Sequence, residues 1–96
     1  MVYQIIDIDV LRPASYERYL QRVEAIVRRH GGRYLVRGGR VQAATGGWVP
    51  GRLVVIEFDA LEDLQGCYDS AEYREIAPLR EESTRSRTVV VEGIAA

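Results

Sequence analysis

The chain contains no lysine, and all thirteen of its basic residues are arginine. That bias fits the codon usage of a GC-rich genome. Cysteine and histidine occur once each, at Cys67 and His30. A lone cysteine excludes an internal disulfide and suits a reducing cytosol. One cysteine and one histidine give too few soft ligands for a metal centre, and Asp7 with Asp9 lacks a third converging group. A haem ligand could only be His30, which falls at a predicted helix end. No metal and no cofactor is therefore expected. Nor does one sign of charge dominate. The formal net charge is −1 with acids and bases interspersed, which excludes the clustered positive surface a nucleic acid requires. No apolar run approaches the roughly 20 residues needed to cross a bilayer. The N-terminus lacks the basic and apolar regions of a signal peptide. The expected setting is the cytoplasm, with no membrane or nucleic-acid partner. Catalytic signatures are missing too: there is no Ser-His-Asp arrangement, phosphate loop or dinucleotide glycine pattern.

Forty-seven per cent of the 96 residues are hydrophobic, as in ordinary globular proteins. The length suits one domain, residues 1–96. A chain of this size buries a modest share of its surface, so oligomerisation would help it. Its centre is a strand pair. Leu53-Val54-Val55-Ile56 is a short, mostly β-branched run behind Pro50-Gly51, which predicts a buried strand over residues 53–58. Residues 34–37 predict its partner. Gly38-Gly39 then marks a bulge or bend, or a plain turn that ends the strand. Trp48 stands in the turn-rich loop between the strands, where it covers a core edge or meets a partner chain.

The flanking segments complete a β-α-β-β-α-β order. Residues 2–10 predict a strand with Val2, Gln4, Ile6, Ile8 and Val10 on the core face and Tyr3, Ile5, Asp7 and Asp9 on the other. Pro13 opens a helix running to about His30, with Tyr16, Tyr19, Leu20, Val23, Ile26 and Val27 as its apolar stripe and Gly31 just beyond. Asp59 is the expected N-cap of a second helical region, with Glu62 completing a capping box. Ser70 caps a further helix from Ala71, which Pro78 should bend or interrupt. Residues 87–94 predict the last strand. Right-handed crossovers then give a ferredoxin-like α+β fold, an antiparallel sheet with helices on one face. The other face would carry Ile5 with one register each of residues 53–58 and 89–92. So much apolar surface calls for cover, most simply by the same face of a second copy in a homodimer.

Several pieces resemble the bacterial family known as domain of unknown function 1330, in the dimeric α+β barrel superfamily. They are Asp9 with Pro13 and Tyr16-Glu17-Arg18-Tyr19; Gly31-Gly32-Arg33-Tyr34-Leu35-Val36-Arg37-Gly38-Gly39; Pro50-Gly51-Arg52-Leu53-Val54-Val55-Ile56-Glu57-Phe58; Tyr68-Asp69-Ser70-Ala71-Glu72-Tyr73; Leu79-Arg80; and Val91-Glu92-Gly93. Gly51 and Ala71 depart from the family's usual Glu and Pro. The resemblance implies a ferredoxin-like protomer and a homodimer packed sheet to sheet. It implies no reaction. Related families include cofactor-free mono-oxygenases, haem-dependent enzymes and small-molecule dehydratases, among which fold alone does not choose.

The candidate ligand-binding set is Arg37, Arg52, Glu57, Tyr68, Ser70, Tyr73 and Arg80. Arginine grips carboxylate or phosphate with a planar fork, and tyrosine offers a stacking face with a hydroxyl. A small anionic or aromatic metabolite in a sheet–helix cleft suits this set. The same residues could instead be structural, with Arg37 or Arg52 pairing with Glu57 or Glu92 across strands. His30 is a candidate base, though a capping role beside Arg28 and Arg29 suits it better. Cys67 sits in an apolar stripe, as a buried inert thiol would. RNA-recognition modules share this element order but need aromatics on the central strands, and residues 53–57 offer none. Three functional classes follow: a metabolite-binding homodimer, a cofactor-independent enzyme such as a mono-oxygenase or isomerase, and a purely structural or regulatory dimer.

Overall fold

A computed structural model describes residues 1–94. The elements are β1 (Val2–Val10), α1 (Pro13–Arg29), β2 (Arg33–Arg37), β3 (Arg52–Phe58), α2 (Leu61–Asp69), α3 (Ala71–Ser83) and β4 (Thr84–Glu92). The strands form an antiparallel sheet in the order β2-β3-β1-β4. This is the ferredoxin-like α+β fold expected from the sequence, with α2 and α3 together filling the second helical position.

The core lies between the helices and one sheet face. Val2, Ile8, Val54, Ile56 and Phe58 meet Tyr16, Tyr19, Val23, Ile26 and Val27 of α1 and Leu64, Cys67, Tyr73 and Ile76 of α2 and α3. Burying each large side chain stabilises the fold by about 1.5–3 kcal/mol. The chain end of α1 packs closely on this core. A Cβ on Gly32 would stand 2.5 Å from Val27 Cγ1 and 2.9 Å from the Phe58 ring, so only glycine fits. His30 caps α1, and its Nδ1 donates to the Ile26 carbonyl at 2.9 Å.

Two local expectations, the Asp59 cap and the start of the last strand, need correction, and those for Gly38-Gly39 and Pro78 are narrowed. Asp59 does not cap α2; Ala60 holds the N-cap position, and Asp59 accepts from Arg33 at 2.9 Å. Arg33 also donates to Glu57 at 2.8 Å, and these charge-assisted bonds outcompete a cap. The ladder irregularity falls between Tyr34 and Val36, whereas Gly38-Gly39 follows the end of β2. Pro78 lies inside α3 without interrupting it, and it is exposed, so water can serve the carbonyl that loses its partner. Finally, β4 starts at Thr84 because Thr84, Arg85 and Ser86 pair with Val10, Asp9 and Ile8. Ser70 does cap α3: its Oγ accepts from Tyr73 N at 3.2 Å and donates to the Cys67 carbonyl at 2.6 Å.

The helix-free face carries Tyr3, Ile5, Leu53, Val55, Val89 and Val91, with Val89 60% exposed. Asp7, on the same face, holds the loop that precedes β3. It accepts from Trp48 Nε1 at 3.3 Å, Gly51 N at 3.2 Å and Arg87 at 2.8 Å. The Arg87 guanidinium, then the Trp48 and Gly51 donors, hold its carboxyl below the usual range against the opposing effect of desolvation. Trp48 itself is exposed. Among the described residues no helix is long and apolar enough to cross a membrane.

Candidate functional site

Strand pairing lays out the helix-covered face row by row. Arg52, Ile8 and Ser86 form one row across β3, β1 and β4. The next holds Arg37, Val54, Ile6 and Thr88, and the third Tyr34, Ile56, Gln4 and Val90. Between these rows and the helices is a cavity of about 690 Å³. Ligand pockets commonly fall between about 300 and 1,000 Å³. Its floor is Ile6, Ile8, Val54 and Ile56, and α1 contributes Tyr16, Tyr19, Leu20 and Val23.

Of the seven candidate residues, Arg37, Arg52, Tyr68, Tyr73 and Arg80 line this cavity. Ser70 does not; its hydroxyl is spent on the α2–α3 junction. Glu57 does not either. It lies on the opposite face, paired with Arg33, and the Arg33 bond followed by that of Tyr3 keeps its carboxyl low. The cross-strand partner of Glu57 is thus Arg33 rather than Arg37 or Arg52. His30 is not among the lining residues. Among the lining residues that sequence reasoning passed over are Gln4, Tyr16 and Tyr19. Both tyrosines fall on a helical stripe indistinguishable from core. Gln4 did carry a signal, as the one polar residue on the core face of β1.

The charges in the cavity do not balance. Arg37 pairs with Glu24, which also lies 3.6 Å from Arg28. Glu24 is the one acid among the lining residues, so Arg52 and Arg80 have no carboxylate partner among the described residues. Arg80 donates from Nε to the Tyr73 hydroxyl at 3.1 Å and from Nη1 to Ser86 Oγ at 3.2 Å. The Arg52 guanidinium lies 5.8 Å from the centre of the Tyr16 ring, and its buried Nε has no hydrogen-bond partner. Gly38 makes room for it. A Cβ there would stand 2.2 Å from Arg52 Nη1, and the φ of +71° is one that other residues rarely adopt.

Four tyrosines form a continuous wall. Tyr16 stacks on Tyr19 at 6.0 Å, Tyr19 meets Tyr73 edge-on at 6.2 Å, and Tyr73 meets Tyr68 edge-on at 4.7 Å. The Tyr19 and Tyr73 hydroxyls are 2.9 Å apart, and Tyr68 donates to Gln4 Oε1 at 2.7 Å. Burial raises Tyr16, Tyr19 and Tyr68, and pushes Tyr34 up to about 12. These phenols therefore stay protonated near neutral pH and serve as hydrogen-bonding groups and ring faces. Cys67 is buried behind them, its thiol pushed up by burial to about 11.

A cationic, tyrosine-walled cavity on this sheet can be set beside known proteins. Residues 1–94 match the model of the family described as domain of unknown function (DUF1330). The protein belongs to that family. No curated protein matches its sequence. Among solved structures, the DUF1330 chain resembles the RPA0582 protein of unknown function from Rhodopseudomonas palustris, with TM-score 0.80 and 12% identity over 99% of this chain and 83% of that one. It also resembles SnoaB, a cofactor-independent oxygenase from Streptomyces nogalater, with TM-score 0.69 and 14% identity over 99% and 94%. HapK from Hahella chejuensis gives TM-score 0.70 and 14% identity over 100% and 95%. At such identities the likeness is one of fold alone.

Proposed function

We propose that this DUF1330 protein binds a small organic anion in the cavity between its helices and sheet. The reading stands on Arg52. Its guanidinium reaches a cavity rather than a carboxylate, with a buried Nε left unpaired. Arg80, held in place by Tyr73 and Ser86, adds a second uncompensated charge. Arg37 lies at the rim with its charge already met by Glu24. A cavity of this size is not what a purely structural dimer needs. Calorimetric titration with acetate, benzoate and cinnamate tests the reading. Binding is expected, and Arg52→Met should weaken it by about 30-fold or more, the usual effect of removing a buried charged partner. Equal affinity in the variant, or no binding by the wild type, refutes it.

The working unit in this proposal is a homodimer in the cytoplasm, closed through the helix-free sheet faces. Ile5, Leu53, Val55, Val89 and Val91 supply the apolar surface, and a two-fold axis lets one patch cover itself. Trp48 lies beside it, tied to Asp7. Native mass spectrometry should give the mass of two chains, and Val89→Asp should give one. The likeness to SnoaB supports a second reading, that the bound anion reacts with oxygen without a cofactor. Oxygen uptake by the loaded protein separates that from binding alone.

A further inference from the structure

The two ends of the cavity are chemically different, and the difference narrows the ligand. One end is the row Arg52, Ile8 and Ser86, with Arg80 bonded to Ser86. Both uncompensated cations are there. The other end is the row of Gln4, four residues back along β1 and about 13 Å away at roughly 3.3 Å per residue. It holds no free charge. Gln4 is only 8% exposed, and its Oε1 accepts from Tyr68. Its carboxamide nitrogen has no hydrogen-bond partner among the described residues, and Gln4 lines the cavity. That nitrogen is not among the buried unpaired atoms, of which Arg52 Nε is the one found among the described residues, so it meets open space and is free to donate to a ligand. The Tyr68 hydroxyl, having donated its hydrogen to Gln4, keeps an accepting lone pair. Side by side there stand one free donor and one free acceptor, the complement of a hydroxyl. Between the two ends run the apolar floor of Ile6, Val54 and Ile56 and the wall of tyrosine rings, surfaces suited to a flat aromatic body.

We propose that the cavity takes an elongated hydroxyaryl carboxylate. Its carboxylate lies at Arg52 and Arg80, its ring lies along the tyrosine wall, and its hydroxyl accepts from the Gln4 amide and donates to Tyr68. This rests on the anion-binding reading above and adds the orientation and the far-end specificity. A dicarboxylate is disfavoured, because the Gln4 end has no free cation to meet a second charge.

The test compares cinnamate, 4-methoxycinnamate and 4-hydroxycinnamate by calorimetric titration. Two net hydrogen bonds predict about tenfold tighter binding of 4-hydroxycinnamate than of cinnamate. The methoxy compound, which accepts but cannot donate, should show no more than part of that gain. Replacing both polar partners by apolar groups of similar shape is close to neutral for stability. In the double variant Gln4→Leu with Tyr68→Phe, the ratio of 4-hydroxycinnamate to cinnamate affinity should fall to about one, whatever the affinity for cinnamate itself. Equal wild-type affinity for cinnamate and 4-hydroxycinnamate overturns the proposal while leaving anion binding intact. A preference that survives in the double variant also overturns it. If no compound binds the wild type, the anion reading itself fails and takes this one with it. The wild-type comparison decides the matter even if the double variant does not fold.

Discussion

Replacing Arg52 with methionine should make the ligand-free protein more stable. The guanidinium reaches into the cavity with its Nε buried and unpaired. Leaving a buried donor unsatisfied costs about 1–3 kcal/mol, and a charged group sits at the upper part of that range. Against this stands the contact with the Tyr16 ring, 5.8 Å from the guanidinium carbon, which contributes about 0.5–1 kcal/mol where the cation is partly hydrated. Methionine keeps much of the apolar stem, so little packing is lost. The balance is a gain of about 1 kcal/mol. For a domain of this size that raises Tm by about 4–8 °C. Thermal unfolding followed by circular dichroism, at one fixed protein concentration, measures it; concentration matters because association shifts apparent stability. Repeating the melt with saturating 4-hydroxycinnamate should reverse the order, since the wild type then gains binding energy that the variant cannot. A variant that melts several degrees lower without ligand would refute the reasoning. It would mean that Arg52 is held by stabilising contacts and is not a strained binding group kept at a cost to the fold.

Three further outcomes are expected. Gly38→Ala forces a left-handed φ of +71° on a residue with a Cβ and drives that Cβ into Arg52, so it should cost about 1–2 kcal/mol or more in thermal or urea unfolding and also weaken anion binding. Alkaline titration should unfold the protein. Burial holds Tyr34 at about 12 against an ordinary 10.0 and raises Tyr16, Tyr19 and Tyr68 as well, so the fold favours the neutral phenols. Their stabilisation is complete below pH 10 and is lost as pH rises from there through 12, which tyrosinate absorbance and circular dichroism read together; free titration of every tyrosine near pH 10 in folded protein would contradict it. The Cys67 thiol, raised by burial from 9.0 to about 11, should react with a thiol reagent near pH 8 about a hundredfold more slowly in the native than in the denatured protein, and comparable rates would place it at the surface.

Much of the fold is legible in the sequence because its signals are local and agree with one another. The apolar stripe of α1, Pro13 at its start, the β-branched run of β3 and the Ser70 cap each specify an element without help from the rest. What was misjudged depends on contacts between elements. Thr84, Arg85 and Ser86 have no strong strand pattern of their own, yet β1 extends far enough to pair with them. Asp59 looks like a cap until Arg33, 26 residues earlier, is brought beside it and offers a stronger bond. Pro78 reads as a bend or an interruption, and of the two the interruption does not occur, because it falls on the exposed side of a helix whose inner face is fixed by Tyr73 and Ile76.

The site follows a different logic, that of parity along a strand. Side chains alternate across a sheet, so residues an odd number apart on one regular strand face opposite ways. Arg52 and Glu57 are five apart on β3, and could never have lined one cleft together. The register confirms this: Arg52 pairs with Ile8 on the helix-covered face, and Glu57 with Tyr3 on the other. The same rule applied to β1 separates Gln4, Ile6 and Ile8 from Tyr3, Ile5 and Asp7. One set floors the cavity, and the other forms the apolar face with its anchored Trp48 loop. A glutamine among core positions is expensive unless its amide is served, and Tyr68 serves only the oxygen. That residue was readable as an anomaly from the alternation alone. What sequence could not supply was the partner list that turns the anomaly into a site, because Tyr68 is 64 residues away. Alternation also keeps the two faces chemically independent. A substitution such as Val89→Asp should therefore alter assembly far more than anion affinity, while Arg52→Met should do the reverse.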